Sequence, residues 1–458
     1  MLLRKKDLHN YQNEASGKIV NNPKSGLLSD MGLGKTIKTL TAIVTVKKHR
    51  KKIGKKLLCH IVVAPPRVVE NVWREEALKW KHTCKLTFCE LMGTPAEREK
   101  LLTDNIGKVD IFIMSVNLWE WLASVCIKHN TIPFDWLICD ESHYYKNDGP
   151  DRSYYAIQLA SMVPRVTLLT GTPNSKGYHN LYNQMAMLTG KENNPLAPSY
   201  SAFLSRYFHV DHERHITTIR DKECKRVVED LCRPYFFRYD KRDHLKEIKS
   251  HHPVILLRLP KNVRKHYQRL KNTNGCKALN VFAESNAVKR SKLSQIANGR
   301  VLDMDEGVVE LHNKKTEALK ELTESNANLL VGYHFRADRE HILNNIPRAI
   351  HYRGDKADYK HWNKNPNTGL VYVASAQSVG TGLNMQSGGC TIIWYSLPIG
   401  RRDDFDQFNA RVLRQGQTKP VSVYHFIMRD TVDVDIYAKM IKDGKQQQEF
   451  LDQMKNER

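Results

Sequence analysis

Apolar positions recur along the chain in two patterns. Short, mostly apolar runs at 57–64, 109–114, 136–139 and 166–170 read as buried parallel strands. Each is followed by loop residues or by helical spacing, the strand–helix alternation of a doubly wound α/β sheet. From about residue 178 to 310 the strand signals thin out and charged helical segments take over. A second series of runs then begins, at 329–333, 349–352, 370–374, 391–395 and 421–427. The pattern predicts two α/β lobes joined by a helical middle, with no internal repeat, heptad tract or low-complexity tail.

Between the apolar stretch Gly26-Leu-Leu and a helical face of Ile37, Leu40, Ile43 and Val44 stands Ser29-Asp-Met-Gly-Leu-Gly-Lys-Thr. It matches the phosphate-loop pattern G-x-x-x-x-G-K-[ST] except at its first position. The chemistry requires a tight turn whose amides face phosphate, a helix N-terminus, a lysine charge and a hydroxyl for Mg²⁺. Gly32, Gly34, Lys35 and Thr36 supply the parts, although an ordinary strand-to-helix turn ends this way too.

Three further segments carry candidate chemistry. The run 136–139 ends in Asp140 and Glu141, which places two acids at the carboxyl edge of the sheet, where open α/β sheets bind ligands. One acid there can hold Mg²⁺ and the other can activate water, whereas an isolated Asp-Glu pair is an ordinary helix start. Leu168-Leu-Thr-Gly-Thr-Pro ends a strand in hydroxyl residues, a place to sense phosphate. Gln407, Arg411 and Arg414 have the spacing i, i+4, i+7, which predicts one helical face with two arginines for a phosphate, or else a basic surface.

Composition narrows the partners. At 458 residues the chain is long for one core, so two domains are expected. Its 72 Lys and Arg against 49 Asp and Glu give a net charge of +23. That charge points to a polyanion, nucleic acid in preference to an acidic lipid surface. The cluster Lys47-Lys-His-Arg-Lys-Lys-Ile-Gly-Lys-Lys reads as a solvated surface loop before the next strand, in preference to a dedicated DNA contact. Nine scattered cysteines with no C-x-x-C pair argue against a disulfide framework or zinc site. No run is long enough to span a membrane and Met1-Leu-Leu-Arg-Lys-Lys-Asp is no secretory signal, so a cytoplasmic protein with no membrane partner is expected.

The ordered segments resemble helicase superfamily two, and within it the Swi/Snf-type DNA translocases in the compact form of bacteriophages and bacteria. Leu8-His-Asn-Tyr-Gln resembles the family's opening L-x-x-Y-Q, and Ser29 to Thr36 its D-x-G-x-G-K-T loop, whose missing glycine position is variable. Ile61-Val-Val-Ala-Pro-Pro-Arg with Trp73 resembles the segment lying along a DNA strand. Asp140-Glu-Ser-His with Lys146 and Asn147 resembles D-E-A-H-x-x-K-N, and Thr170-Gly-Thr-Pro the coupling motif. Gln295-Ile-Ala-Asn-Gly, Tyr333-His-Phe-Arg, Gly380-Thr-Gly-Leu-Asn, Gln407 through Gln417 and Thr431-Val-Asp match the second half. Leu413, Gln377, Val379 and Asn174-Ser depart from the usual residues without removing a catalytic group.

The resemblance implies two tandem RecA-like P-loop lobes with helical protrusions. Lobe one would span 1–245, with a helical insertion at about 178–235. Lobe two would span 246–458, with an insertion at about 260–310, a core at about 311–435 and a C-terminal helix. It implies ATP bound by Gln12, Asp30, Met31, Gly32, Leu33, Gly34, Lys35, Thr36, Gly380, Gly382 and Gln407, and Mg²⁺ held by Thr36 and Asp140. Catalysis would fall to Lys35, Asp140, Glu141, Arg411 and Arg414, with His143, Thr170 and Thr172 coupling turnover to motion and Arg67, Ser115 and Tyr333 touching DNA. The expected function is a monomeric, ATP-dependent translocase on duplex DNA, with little sequence preference and guided by a partner protein. The alternatives are a strand-separating helicase at forks or recombination intermediates, an RNA helicase, or an inactive DNA-binding scaffold.

Overall fold

The protein's structure is a computed structural model, which describes residues 2–54, 59–69, 72–145, 150–174, 177–211, 216–244, 248–376, 384–414 and 416–454. The chain divides into two compact units, residues 1–245 with 445–458, and residues 246–444.

The strands of the first unit are β1 (Lys24–Ser29), β2 (Cys59–Ala64), β3 (Phe88–Glu90), β4 (Ile111–Ser115), β5 (Phe134–Asp140), β6 (Arg165–Thr170), β7 (Phe208–Asp211), β8 (Ile216–Ile219) and β9 (Phe236–Tyr239). Seven of them pair in the order β3-β4-β2-β5-β6-β1-β9, parallel throughout, and β7 with β8 forms a separate hairpin. Every residue of β2 and β5 is buried, as a sheet covered on both faces requires. Alternation sorts their side chains: Ile61 and Val63 enter one core cluster with Phe112 and Leu168, while Val62 and Ala64 enter the other with Ile113, Ile138 and Leu169. Helix Lys35–Lys52 closes the second face through Ile37, Leu40 and Ile43.

The strands of the second unit are β10 (Ser250–His251), β11 (Val254–Leu257), β12 (Gly275–Cys276), β13 (Val281–Phe282), β14 (Arg300–Leu302), β15 (Val308–Glu310), β16 (Leu329–Tyr333), β17 (Ala349–His351), β18 (Val371–Ser375), β19 (Thr391–Trp394) and β20 (Val421–Met428). Its main sheet is also parallel, in the order β20-β19-β16-β18-β17, with β10 and β11 both pairing β20. Gly332 on the central strand β16 faces Trp394 on β19, where a Cβ would lie 2.8 Å from the indole. The fold is therefore α/β, built on two parallel sheets.

Three expectations need correction. The stretch 178–310 is not only helical, because it holds β7 to β15; strands of two to four residues carry no apolar run long enough to read. Residues 47–52 of the basic cluster end helix Lys35–Lys52 rather than forming a loop, Lys47 and Arg50 are paired with Asp110 and Asp135, and Lys55 and Lys56 lie outside the described residues. The C-terminal helix, Val432–Gln453, begins in the second unit, yet its last residues belong to the first. There Phe450 meets Tyr178 edge-on at 5.5 Å, Lys225 pairs with Glu449 at 2.6 Å and Arg242 pairs with Asp452.

Candidate active site

β1 ends at Ser29, and the chain turns through residues 30–34 into helix Lys35–Lys52. Gly32 and Gly34 adopt φ of 88° and 76°, a region that disfavours side chains. A Cβ on Gly34 would also meet Gln12 Nε2 at 2.7 Å, so a side chain there is strained and displaces Gln12. The first intrahelical bond runs from Lys38 N to Gly34 O at 3.1 Å, and a helix start of this kind offers its leading amides to an anion.

Ser29, the residue that breaks the phosphate-loop pattern, has a partner of its own. Lys38 Nζ donates to Ser29 Oγ at 2.9 Å and lies over the rings of Tyr11 and Tyr239, at 5.0 and 4.6 Å. Burial lowers the Lys38 ammonium to about 7. The serine thus ties the end of β1 to the first turn of the helix. Asp30 commits its carboxylate to Arg238 Nη2 and the Lys241 amide, both at 2.8 Å, which anchors the loop to the segment after β9. Leu33 is buried in the core, and its carbonyl accepts from Gln12 Nε2 at 3.4 Å while Gln12 Oε1 accepts from His9 N at 3.0 Å. Met31 is half-buried in the turn.

The acids stand where β5 ends. Lys35 Nζ lies 3.8 Å from Glu141 Oε1 and donates to Ser29 O at 3.4 Å. Asp140 Oδ2 accepts from Trp73 Nε1 at 3.1 Å and Oδ1 accepts from Glu141 N at 3.1 Å. Burial, followed by the charge of Glu141, pushes the Asp140 carboxyl up to about 6. Glu141 holds φ of 54°, a left-handed conformation that costs a glutamate roughly 1–3 kcal/mol and is concentrated at functional sites.

The three expected coupling residues meet at one nitrogen. His143 Nδ1 is 3.3 Å from Thr170 Oγ1, 3.4 Å from Thr172 Oγ1 and 3.3 Å from Glu141 Oε2. Gln184 braces the same place, accepting from Ser142 Oγ at 2.9 Å and donating to Pro173 O at 2.7 Å. Sequence reading missed Gln184, and it assigned Trp73 to a DNA strand although Trp73 is fully buried against Asp140. Both contacts join segments far apart in the chain, so no local spacing announces them.

The donor set fits a magnesium nucleotide. Thr36 hydroxyl and Asp140 carboxylate are hard oxygen ligands suited to Mg²⁺. Ser115 ends β4, its hydroxyl accepting from Asn117 N at 3.3 Å. Arg67 lies in the short helix Pro66–Val69, and its side chain falls outside the described residues, as do Lys146, Asn147, Ser175, Gln377, Val379, Gly380 and Gly382.

In the second unit, Gln407, Arg411 and Arg414 do not share a helical face. Helix Arg402–Asn409 ends before the arginines, and Arg411 N and Val412 N bond Phe408 O and Asn409 O in tight turns. Val412 drops into the core, and the Arg411 carbonyl accepts from Met385 N at 3.0 Å, which draws the chain out of the helix. Arg411 is buried, whereas Gln407 and Arg414 are half-buried. Tyr333, at the end of β16, lines a cavity of about 200 Å³ with His334, Ser375 and Arg401. Behind it Asp338 Oδ2 accepts from Ser396 Oγ at 2.7 Å and Asn298 Nδ2 at 3.0 Å, and Lys315 Nζ bonds Asn298 Oδ1 and Asp433 Oδ2, both at 2.7 Å. This buried network links Gln295-Ile-Ala-Asn-Gly to Thr431-Val-Asp, segments the sequence matched separately.

A family model described as the SNF2-related domain matches residues 11–316. The phage protein p41 of Acyrthosiphon pisum secondary endosymbiont phage 1 is 27% identical, the match covering 92% of this chain and 93% of the phage protein. The mouse DNA repair and recombination protein RAD54B is 23% identical over 91% of this chain and 52% of its own length. The ISWI chromatin-remodeling complex ATPase CHR11 of Arabidopsis thaliana is 24% identical over 93% of this chain and 41% of its own. The chain thus spans about half or less of these two eukaryotic relatives and nearly all of the phage protein. Among solved structures, the Sulfolobus solfataricus SWI2/SNF2 ATPase core in complex with dsDNA is similar, with 19% identity, 97% of this chain and 94% of that chain covered, and a TM-score of 0.45.

Proposed function

The chain belongs to the SNF2-related family, and from that premise we propose that it is an ATP-dependent motor, stimulated by DNA, that moves along duplex DNA and remodels DNA or protein–DNA complexes. The observation that carries this reading is the convergence of Lys35, Glu141, His143, Thr170 and Thr172 at the carboxyl edge of one parallel sheet.

Lys35 and the loop amides bind the phosphates of ATP, and Gln12 recognises its base. Thr36 and Asp140 would hold Mg²⁺, which would supply neutralisation of phosphate charge. Trp73 fixes the rotamer of Asp140 by its hydrogen bond. Glu141 orients the attacking water and accepts its proton. His143 Nδ1 lies within reach of both Glu141 and the two threonines, so a proton or hydrogen bond there changes hands as charge near Glu141 changes. That exchange carries the phosphate state to the loop after β6. Arg411 and Arg414 offset the charge developing on the transferred phosphoryl group.

The names of the mouse and Arabidopsis relatives, in DNA repair and chromatin remodelling, support DNA as the track. The net charge of +23 supports contacts made chiefly to phosphates, with little sequence preference and a steep dependence on salt. The protein acts as a monomer in the cytoplasm, directed by a partner protein or by DNA structure.

Steady-state ATP hydrolysis with duplex DNA, single-stranded DNA or RNA at two salt concentrations tests the reading. Strong stimulation by duplex DNA, lost in Lys35→Ala with DNA binding retained, is the expected result. Stimulation by RNA alone, or no hydrolysis with any of the three, overturns it.

A further inference from the structure

The insertion of the second unit carries a charge imbalance that the site chemistry does not use. Residues 258–302 contain eleven Lys and Arg against a single acid, Glu284, so about a tenth of the chain holds +10 of its +23. This segment has its own small core. Val263, Tyr267 and Leu270 of helix Lys261–Thr273 pack with Leu293, Ile296 and Ala297 of helix Asn286–Asn298 and with Val281 and Val301 of the two hairpins. Tyr267 OH accepts from Val432 N at 2.7 Å, which fixes helix Lys261–Thr273 to the start of the C-terminal helix.

With Val263, Tyr267 and Leu270 turned inward, Lys261, Lys265 and Arg269 form an exposed ridge at i, i+4 and i+8. A solvated helix face ordinarily mixes signs at that spacing. Like charges there destabilise a helix by a few tenths of a kcal/mol per pair. Arg264, beside the ridge, has Asp430 at 3.5 Å, and Lys289 and Lys292 have neutral oxygen partners, Asn274 Oδ1 at 2.7 Å and Leu302 O at 2.6 Å. The neighbouring hairpin β12–β13 adds exposed Lys277 and a half-exposed Phe282. The basic helix end at 47–52 differs, since Asp110 and Asp135 neutralise two of its charges.

We infer that the ridge Lys261, Lys265, Arg269 is an accessory binding site for the phosphate backbone of duplex DNA, separate from the residues that contact DNA in the family motifs. The inference rests on the DNA reading above. Over eight residues at 1.5 Å the ridge is about 12 Å long, enough for three to four base-pair steps of about 3.4 Å. Its role is to hold duplex near the motor whatever the nucleotide state, because it lies outside the ATP site.

The test compares the wild type with the triple variant Lys261→Ala, Lys265→Ala, Arg269→Ala. Fluorescence anisotropy of a labelled 30-base-pair DNA duplex is followed across salt concentrations without nucleotide. If three phosphate contacts are lost, the slope of log affinity against log salt becomes shallower by about 2 to 3, and affinity at low salt falls tenfold or more. Turnover at saturating duplex stays at the wild-type rate. The charge-preserving variant Lys261→Arg, Lys265→Arg, Arg269→Lys keeps the wild-type slope, which separates charge from folding. An unchanged slope and affinity in the alanine variant overturns the inference. So does a loss confined to an RNA duplex or to phosphatidylserine vesicles. If the wild type binds duplex but hydrolyses no ATP with it, the motor reading fails while the slope still decides the ridge.

Discussion

In the first unit His143 Nδ1 lies 3.3 to 3.4 Å from groups on the loop after β5 and the end of β6, whereas in the second unit Arg411 and Arg414 follow a helix that has already ended at Asn409. The difference lies in what positions each set. Residues at the carboxyl ends of parallel strands inherit their places from the register of the sheet: Asp140 pairs with Leu169, and Leu28 with Thr170. Residues beyond a helix end are placed by side chains that turn into the core, as Val412 does. Strand-end chemistry can therefore be inferred from sequence with more accuracy than chemistry after a helix.

The sharpest way to break that contrast is at the phosphate loop. Lys35→Ala should lower kcat by about 10³-fold or more, since it removes a charge aimed at the transferred phosphate in a water-poor site; phosphate-release kinetics measure it. Arg414→Ala should reduce kcat by about 10³-fold with KM for ATP changed only a few-fold, the pattern of a group acting in the transition state. A normal kcat in Arg414→Ala would remove Arg414 from the chemistry and leave Arg411 as the second unit's candidate.

Acid should separate the units next. Burial holds His312 and His334 down to about 4 and His425 to about 3, so the unfolded chain takes up protons near pH 6.5 that the folded second unit refuses. More protons are then bound unfolded than folded, and stability falls as pH drops from about 6.5 towards 4. Asp338, raised to about 6 by burial, opposes this, because the folded state binds its proton first. Three groups against one leave a loss on the order of 2 kcal/mol per pH unit. Among the described residues the first unit has one histidine held as low, His60 at about 4, so pulse proteolysis at pH 5 against pH 7.5 should cleave the second unit first. The mildest change is His143→Ala, which should leave basal hydrolysis intact and reduce stimulation by duplex DNA about tenfold, a coupling of about 1.4 kcal/mol. Equal stimulation in variant and wild type would show that the loop after β6 does not relay the nucleotide state.

Much of the fold was legible because the central parallel strands are short, mostly apolar runs. β2, β4, β5, β6, β16, β18, β19 and β20 lie within one or two residues of their expected positions. The missed strands are short or lie at sheet edges: β3 has three residues, and β11 buries only alternate side chains partway. β9, Phe-Phe-Arg-Tyr, conceals itself by burying a charged Arg238 against Asp30. At the site, Lys35, Asp140 and Glu141 follow from motif and strand end together. Lys38 beneath Ser29, Trp73 on Asp140 and Gln184 under the His143 turn were hidden, because each acts across folded space and its own neighbours in sequence give no sign of it.

The contact of Phe450 with Tyr178 sets an order of events during synthesis. The core of the first unit closes on the last residues of the chain, about two hundred positions after the rest of that unit has emerged. At 5–20 residues per second, a ribosome needs about 10–40 s to make the intervening segment. Through that interval the nascent first unit carries an uncovered apolar face around Tyr178 and Cys232, so its completion is timed by translation of the second unit rather than by its own folding rate.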